Sequence, residues 1–172
     1  PKVNRVGGEN QGGAVAKYLL QFERFSMASI ELRRLLSRVK RIKELDQYAY
    51  VECSDIDRKI IALEIECEAI EASEKRVLVQ LNAGETPGPV SSVLNAVSSE
   101  TLQRADELGV EVAAYYALPY QPDALEIGGD SSIGHELMLP VVPSFLNNRM
   151  RTIAGGSSEI QRNIVAKSIL GL

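Results

Sequence analysis

A long stripe of apolar residues at helical spacing constrains the fold of this sequence more than any other feature. Between residues 54 and 82 no glycine or proline interrupts it, and its members recur three and four positions apart: Ile56, Ile60, Leu63, Cys67, Ile70, Val77 and Leu81. This spacing predicts one amphipathic helix. A helix of about 30 residues is about 45 Å long, and only other helices can cover it over that length. We therefore expect an antiparallel helical bundle.

Similar stripes predict the partners of this helix. A first long helix is expected from Gly13 to just before Cys53, where no helix breaker occurs, and a third from Val90 to near Pro119. A fourth is expected from 141 to about 153 and a last one from Ser157, with an irregular excursion over 120–140. Aromatic residues make up only 5% of the sequence, which disfavours a β-sandwich. The expected fold is all-α: a four-helix up-down bundle with an additional short C-terminal helix.

Composition narrows the classes of function. The net charge of −4 lacks the basic footprint of nucleic-acid binding. No apolar run approaches the roughly 20 residues of a membrane span, and residues 1–13 contain no apolar leader, so we expect a cytoplasmic protein. Cys53 and Cys67 form no disulfide framework or zinc pattern and are expected to be reduced thiols.

Charge is distributed unevenly along the predicted helices. Basic residues crowd the end of the first helix and acidic residues crowd the second; the members are Arg33, Arg34, Arg38, Lys40, Arg41 and Lys43, and Glu64, Glu66, Glu68, Glu71 and Glu74. Solvated faces that complement each other within or between subunits are the favoured interpretation. A contact with phosphate or CoA is the alternative.

The histidine content excludes two kinds of active site. A di-iron bundle site requires a Glu-x-x-His motif on two helices, and the sequence contains a single histidine, His135. His135 is also too isolated for a Ser-His-Asp arrangement. It is expected to be an ordinary loop residue.

Glu23 is a candidate general base. It interrupts a predicted apolar helix face formed by Leu19, Leu20, Met27 and Ile30. Desolvation there would disfavour the charged carboxylate and suit it to accept a proton. Alternatively, a basic residue of another helix pairs with Glu23, or the edge of the face leaves it in water.

A second candidate site lies at Gly155, Gly156, Ser157, Ser158 and Glu159. The two glycines permit close backbone approach, and a helix beginning at Ser157 would present free N–H groups to an anion such as a pyrophosphate. The alternative is a purely structural helix–glycine–helix corner with a serine cap.

Motifs at both ends of the chain resemble one known family. The sequence RTIAGGSSEIQRN over 151–163 resembles the C-terminal signature of flavin-dependent acyl-CoA dehydrogenases, in which Gly-Thr/Ser-x-Glu-Ile-Gln leads into the last helix. The segment RVGGENQGG over 5–13 resembles the linker from the family's β middle domain, and Phe22-Glu23-Arg24 resembles its helix turn. By this resemblance, 1–13 is a linker from a missing middle domain and 14–172 is the C-terminal helical bundle.

The resemblance implies an oxidoreductase of lipid metabolism that converts an acyl-CoA thioester to the 2-enoyl-CoA, with FAD as cofactor. Many members place the catalytic glutamate where this chain has Gly155, and another branch places it before an arginine on the first long helix, which corresponds to Glu23. Arg24 would then line the acyl-CoA pocket together with Gly155 and Gly156, which border the thioester. Ser157, Ser158 and Glu159 would approach the flavin.

Two departures indicate a particular branch of the family. The Arg-x-x-Phe-Gly motif after the first helix is missing at 48–53, and residues 111–115 replace the Gln and Gly-Gly pattern of the third helix. In these respects the chain is similar to heteromeric sterol and pimeloyl-CoA dehydrogenases. The implied partners are an acyl-CoA substrate, electron-transfer flavoprotein or a similar acceptor, and other subunits in a homo- or hetero-tetramer. A catalytically silent helical subunit that supports assembly of a heteromeric dehydrogenase is the alternative function.

Overall fold

The computed structural model describes residues 4–23, 27–45, 53–129 and 131–172. Its α-helices are α1 (Gly12–Glu23), α2 (Ala28–Lys43), α3 (Cys53–Asn82), α4 (Val90–Ala113), α5 (Val141–Asn147) and α6 (Ser158–Val165). Short 3₁₀ turns connect several of them, and no strand occurs within the described ranges. The prediction of an all-α bundle is confirmed.

The prediction of one long first helix is wrong, because the region contains two helices. Met27 has φ −79° and ψ 60°, which is not helical, and α2 begins after it. The backbone N–H of Ser29 donates a hydrogen bond to Glu74 Oε1 of α3 at 3.2 Å, and the Ser29 hydroxyl donates to Glu74 Oε2. A side chain from another helix thus satisfies one of the free backbone donors at the beginning of α2. No glycine or proline occurs between Glu23 and Ala28, so the sequence pattern did not reveal the break between α1 and α2.

Ion pairs show that α2, α3 and α4 run antiparallel to their neighbours. As residue numbers rise along one helix, the numbers of their partners fall along the next. The pairs are Arg33–Glu71, Lys40–Glu64 and Lys43–Asp57 between α2 and α3, and Arg104–Glu66 and Lys59–Glu111 between α3 and α4. The expected complementarity of the charged faces is therefore present within the chain. Exposed pairs of this kind contribute little stability each.

Glu71 illustrates how these faces interact electrostatically. Its carboxylate pairs with Lys75 on α3 and with Arg33 on α2. Hydrogen bonds from both cations lower the pKa of Glu71 to about 2. The carboxylate consequently stays ionised under all ordinary conditions.

The apolar core lies between α2, α3 and α4. The stripe predicted for α3 is buried from Ile56 to Val77, whereas the exposed residues Tyr18, Leu19 and Phe22 of α1 show that the stripe predicted for the first helix does not form core. The core contributed by α2 and α4 consists of Ala28, Leu32, Leu36, Val39, Ile42, Leu94, Leu102, Ala105, Leu108, Val112 and Ala113.

Two helices end at other residues than the sequence predicts. α4 ends at Ala113 rather than near Pro119, and Ala114 adopts φ +48° and ψ −127°, a positive-φ conformation that glycine accepts more readily than alanine. The predicted fourth helix ends at Asn147 and continues as a 3₁₀ turn, Asn148–Thr152. This turn leads directly to the pair of glycines before α6.

His135 has the structural role expected of a loop residue. Its Nδ1 accepts a hydrogen bond from the backbone N–H of Leu137 at 3.1 Å and so caps the short turn Glu136–Met138. Cys67 is buried in the core as a free thiol, and burial raises its pKa. Along the described part of the chain, none of the helices has the length and hydropathy needed to span a bilayer.

Candidate functional site

Glu23 is the last residue of α1 and is exposed. The apolar face expected around it does not form on one helix, because Met27 and Ile30 lie beyond the end of α1. α1 itself carries apolar side chains there: the Tyr18 and Phe22 rings make an edge-to-face contact with centroids 5.2 Å apart, and Leu19 is 60% exposed. This chain leaves that face uncovered. The described residues therefore do not supply the desolvation predicted for Glu23. Its neighbour Arg24 lies outside the described residues.

The two glycines form a sharp turn before α6. Gly155 and Gly156 have φ values of +71° and +108°, which side-chain-bearing residues rarely adopt. A Cβ atom on Gly155 would lie 3.4 Å from Asn95 Nδ2 of α4. The wholly buried Gln161 donates from Nε2 to the carbonyl oxygens of both glycines at 3.0 Å. The turn thus requires glycine, and α6 holds it from within.

A serine caps α6, as the sequence predicts. The Ser157 Oγ accepts a hydrogen bond from the backbone N–H of Ile160 at 3.5 Å. Glu159 folds back on the same end: hydrogen bonds from its own backbone N–H and from Ser157 lower the pKa of its carboxyl group. Ser158 is 7% exposed, and its Oγ has no hydrogen-bond partner within the described residues. One buried hydroxyl at the beginning of this helix is therefore left without a hydrogen bond among the described residues.

A cavity of about 610 Å³ lies between α1, α4 and α6, and neither Glu23 nor residues 155–159 are among the residues that line it. Leu20 of α1, one turn before Glu23, lies on one wall, and Ile160 of α6, directly after Glu159, lies on another. The beginning of α4 completes it with Ser92, whose buried Oγ has no partner in the described structure. The further lining residues are Lys17, Thr86, Gly88, Pro89, Ser91, Ile164 and Ser168.

The beginning of α6 has features that suit a phosphate group. Helix N-termini favour phosphate groups because their N–H groups are free and their dipole is positive. The unpartnered Ser158 hydroxyl adds a neutral donor there, and the glycines leave room for close approach. Ser157 and Glu159 are already engaged with the cap. Ser158 is therefore the one of the three whose side chain is not engaged with the cap.

The sequence pattern did not reveal a buried polar network beside this turn. Asn148 Nδ2 donates to Asp106 Oδ2 at 2.7 Å, and Arg151 Nε donates to Asn148 Oδ1 at 3.0 Å. Arg151 also binds both carboxylate oxygens of Glu31 on α2 at 2.6 and 2.7 Å. One signal was available, because Asp106 lies four positions after the core residue Leu102, where a carboxylate requires a partner.

Burial raises the pKa of Asp106, although the hydrogen bond from Asn148 and the nearby Arg149 and Arg151 act in the opposite direction. Glu31, which also faces it, adds to the increase. A carboxyl group whose pKa is higher in the folded state than in the unfolded state, where it is about 3.9, favours folding most when protonated. Its contribution to the free energy of unfolding therefore falls as the pH rises through the pKa of the folded state.

Asp106→Asn is expected to remove this pH dependence while keeping the hydrogen bond, because an amide oxygen also accepts from Asn148. Urea unfolding of both proteins across a series of pH values from about 3 upwards measures it. The variant should gain stability relative to the original chain as the pH rises. Parallel curves for the two proteins would contradict the raised pKa.

Comparisons with known proteins agree with this architecture. The family model of the acyl-CoA dehydrogenase C-terminal domain matches residues 10–170. No curated protein matches the chain significantly.

Several solved structures share the fold. A variant of the Tcur3481-Tcur3483 steroid ACAD superimposes with a TM-score of 0.77 at 18% identity, over 97% of this chain and 42% of the other. The FAD complex of PigA gives 0.76 at 19% identity, over 100% of this chain and 42% of the other. The electron transferring flavoprotein of Acidaminococcus fermentans gives 0.77 at 15% identity, over 99% of this chain and 42% of the other. The chain thus spans less than half the length of each, and by its match over 10–170 it belongs to the acyl-CoA dehydrogenase family, as a C-terminal domain.

Proposed function

We propose that this chain is the C-terminal domain of an FAD-dependent acyl-CoA dehydrogenase that converts an acyl-CoA thioester to the 2-enoyl-CoA. The observation that carries the proposal is the family match over 10–170; it is supported by a cavity to which α1, the helix of Glu23, and α6, the helix capped by Ser157, both contribute residues. A base on α1 and a nucleotide contact at the beginning of α6 would suit a reaction in which a proton and two electrons leave adjacent carbons.

In this proposal Glu23 removes the proton from the α-carbon. A carboxylate is effective as a general base when water is excluded and its pKa approaches the operating pH. The apolar side chains around Glu23 are exposed in this chain, so other parts of the full-length protein, together with the acyl chain, would cover them. Arg24, Gly155 and Gly156 would line the thioester pocket.

The flavin would lie at the beginning of α6. Ser158 would hold it through its hydroxyl group, Ser157 would cap the helix end beside it, and Glu159 would keep its carboxylate on the helix cap. When bound, FAD supplies the acceptor for the electrons that leave the substrate. Electron-transfer flavoprotein or a similar acceptor would reoxidise it, and the active assembly would be a homo- or hetero-tetramer.

A silent assembly subunit is the second candidate. It is favoured by Ala114, which holds a positive-φ backbone conformation suited to glycine in the segment where the sequence departs from the family's Gly-Gly pattern. Residues 48–53, where the other family motif is missing, are described only at residue 53. This function needs no base, so it gives Glu23 no role.

Flavin content and reduction distinguish the two candidates. The full-length protein, purified with and without any subunit encoded beside it, should carry FAD, and anaerobic addition of acyl-CoA thioesters should bleach the flavin absorbance. The 172-residue chain should hold no FAD by itself, because the rest of the site lies elsewhere in the protein. A full-length protein without flavin, alone or with its partner, would contradict the dehydrogenase and support the silent subunit.

A further inference from the structure

We propose that Asp106, Asn148, Arg151 and Glu31 act together as a positioning bracket that sets the place of the 155–159 turn against α2 and α4. The functional meaning of the bracket rests on the proposed function, because that turn is the proposed flavin and thioester contact. None of the four residues lines the cavity between α1, α4 and α6. They would act only through the backbone that they hold.

Asn148 is the centre of the bracket. Its amide nitrogen donates to the Asp106 carboxylate and its amide oxygen accepts from Arg151 Nε, so both ends of the side chain are engaged. A flipped amide would place a donor against Arg151 and an acceptor against Asp106. The orientation of Asn148 is therefore fixed, and the residue is only 5% exposed.

Arg151 extends the bracket to a second helix. Its Nη2 lies 2.6 and 2.7 Å from the two carboxylate oxygens of Glu31, in the first turn of α2. A charge-assisted contact to both oxygens has a narrow geometry. The 3₁₀ turn Asn148–Thr152 is thus tied to α4 through Asp106 and to α2 through Glu31.

The backbone of the same turn is also held by hydrogen bonds to α4. Gln103 Nε2 of α4 donates to the carbonyl oxygens of Asn148 and Arg149 at 3.0 and 3.3 Å, and Arg149 Nη2 donates to the carbonyl oxygen of Gln103 at 3.2 Å. These contacts end at Arg149, six residues before Gly155. Glycines have little conformational preference of their own, so the position of the 155–159 turn must be set by its neighbours. The bracket supplies that constraint on one side and Gln161 on the other.

Burial of the Asp106–Asn148 half of the bracket is costly, which argues for a specific role. Asp106 is 2% exposed, and an apolar residue would avoid the desolvation cost of its carboxylate. Directional hydrogen bonds define one arrangement, whereas apolar packing tolerates several. We therefore assign the network to placement of the turn.

Asn148→Asp is the sharpest test, because it places a second carboxylate against Asp106 and removes the only donor that Asn148 offers it. Asn147→Asp is the matched control: it adds the same charge one position earlier on an exposed side chain. Hydrogen–deuterium exchange of the chain, read by mass spectrometry, reports the opening of each segment. We expect residues 153–159 to exchange about tenfold faster in Asn148→Asp, as for loss of one charge-assisted hydrogen bond, and unchanged in Asn147→Asp.

The double variant Asp106→Asn with Asn148→Asp tests the pairing itself. It restores a donor–acceptor pair and gives Arg151 a carboxylate partner, so it should return the exchange of 153–159 to that of the original chain. Exchange in α3 should stay constant throughout. The bracket is overturned if Asn148→Asp leaves 153–159 unchanged, if α3 accelerates equally, or if the double variant fails to restore protection.

Arg151→Gln covers the case in which Asn148→Asp does not fold. It removes the link to Glu31 from a partly exposed side chain, and should also accelerate exchange in 153–159; constant exchange there would again reject the bracket. These measurements need no flavin. In the full-length flavoprotein, Arg151→Gln should lower kcat more than it raises KM. If the exchange results are as expected but the full-length protein shows no turnover, the bracket stands and only the proposed function is rejected.

Discussion

Replacing Glu23 with glutamine in the full-length protein is expected to slow flavin reduction by an acyl-CoA substrate at least about 100-fold. The amide has nearly the shape of the carboxylate but cannot accept the proton from the α-carbon. Stopped-flow measurement of flavin bleaching under anaerobic conditions gives the rate of this step. Flavin content should stay the same, because Glu23 lies on α1 and the proposed flavin contacts lie on α6.

Glu44→Gln is a suitable control, since Glu44 is an exposed carboxylate directly after the last residue of α2. It should reduce flavin at the original rate. A Glu23→Gln protein that matches this control would remove Glu23 from the chemistry. Loss of bound flavin in Glu23→Gln would instead assign Glu23 to cofactor binding.

Leu102→Ala is expected to lower the free energy of unfolding of this chain by about 3 kcal/mol. Leu102 is 1% exposed on α4, the helix that contacts α2, α3, α5 and α6. Truncation removes apolar contacts and leaves a cavity that these helices cannot all close. Urea unfolding followed by circular dichroism measures the loss as a lower midpoint with an unchanged slope.

Leu146→Ala removes the same atoms from a side chain that is 61% exposed. It should change the free energy of unfolding by less than about 0.5 kcal/mol. Equal effects of the two substitutions would show that α4 does not form the centre of the folded chain. Leucine and alanine have similar helix propensities. A difference between the two substitutions therefore reports the burial of the leucine side chain.

The fold was predictable for α3, whose apolar stripe is buried in the core. The α3 residues Ile56, Ile60, Leu63 and Cys67 are all buried, as their spacing predicts. The same reasoning was wrong for Leu19, because apolar periodicity shows which face of a helix avoids water but not whether this chain supplies the cover. The core of α2 lies instead on Leu32, Leu36, Val39 and Ile42.

The candidate site was predictable only in its local parts. The serine cap and the glycine turn depend on neighbouring residues, so the sequence alone indicated both. The contact between Asp106 and Asn148 joins residues 42 positions apart, and that between Arg151 and Glu31 joins residues 120 apart. Neither pair has a spacing rule, since their proximity follows from how α2, α4 and the return segment pack.

The cap on α2 has a consequence for the order of folding. Most helices carry their own N-terminal cap, so their first turn can form transiently in the unfolded chain. In α2 the capping carboxylate belongs to Glu74, 45 residues away, and a loop of that length must close before it reaches Ser29. The first turn of α2 therefore gains its cap only when α3 docks. Formation of the N-terminal end of α2 is therefore coupled to the cooperative folding of the bundle rather than to local helix formation.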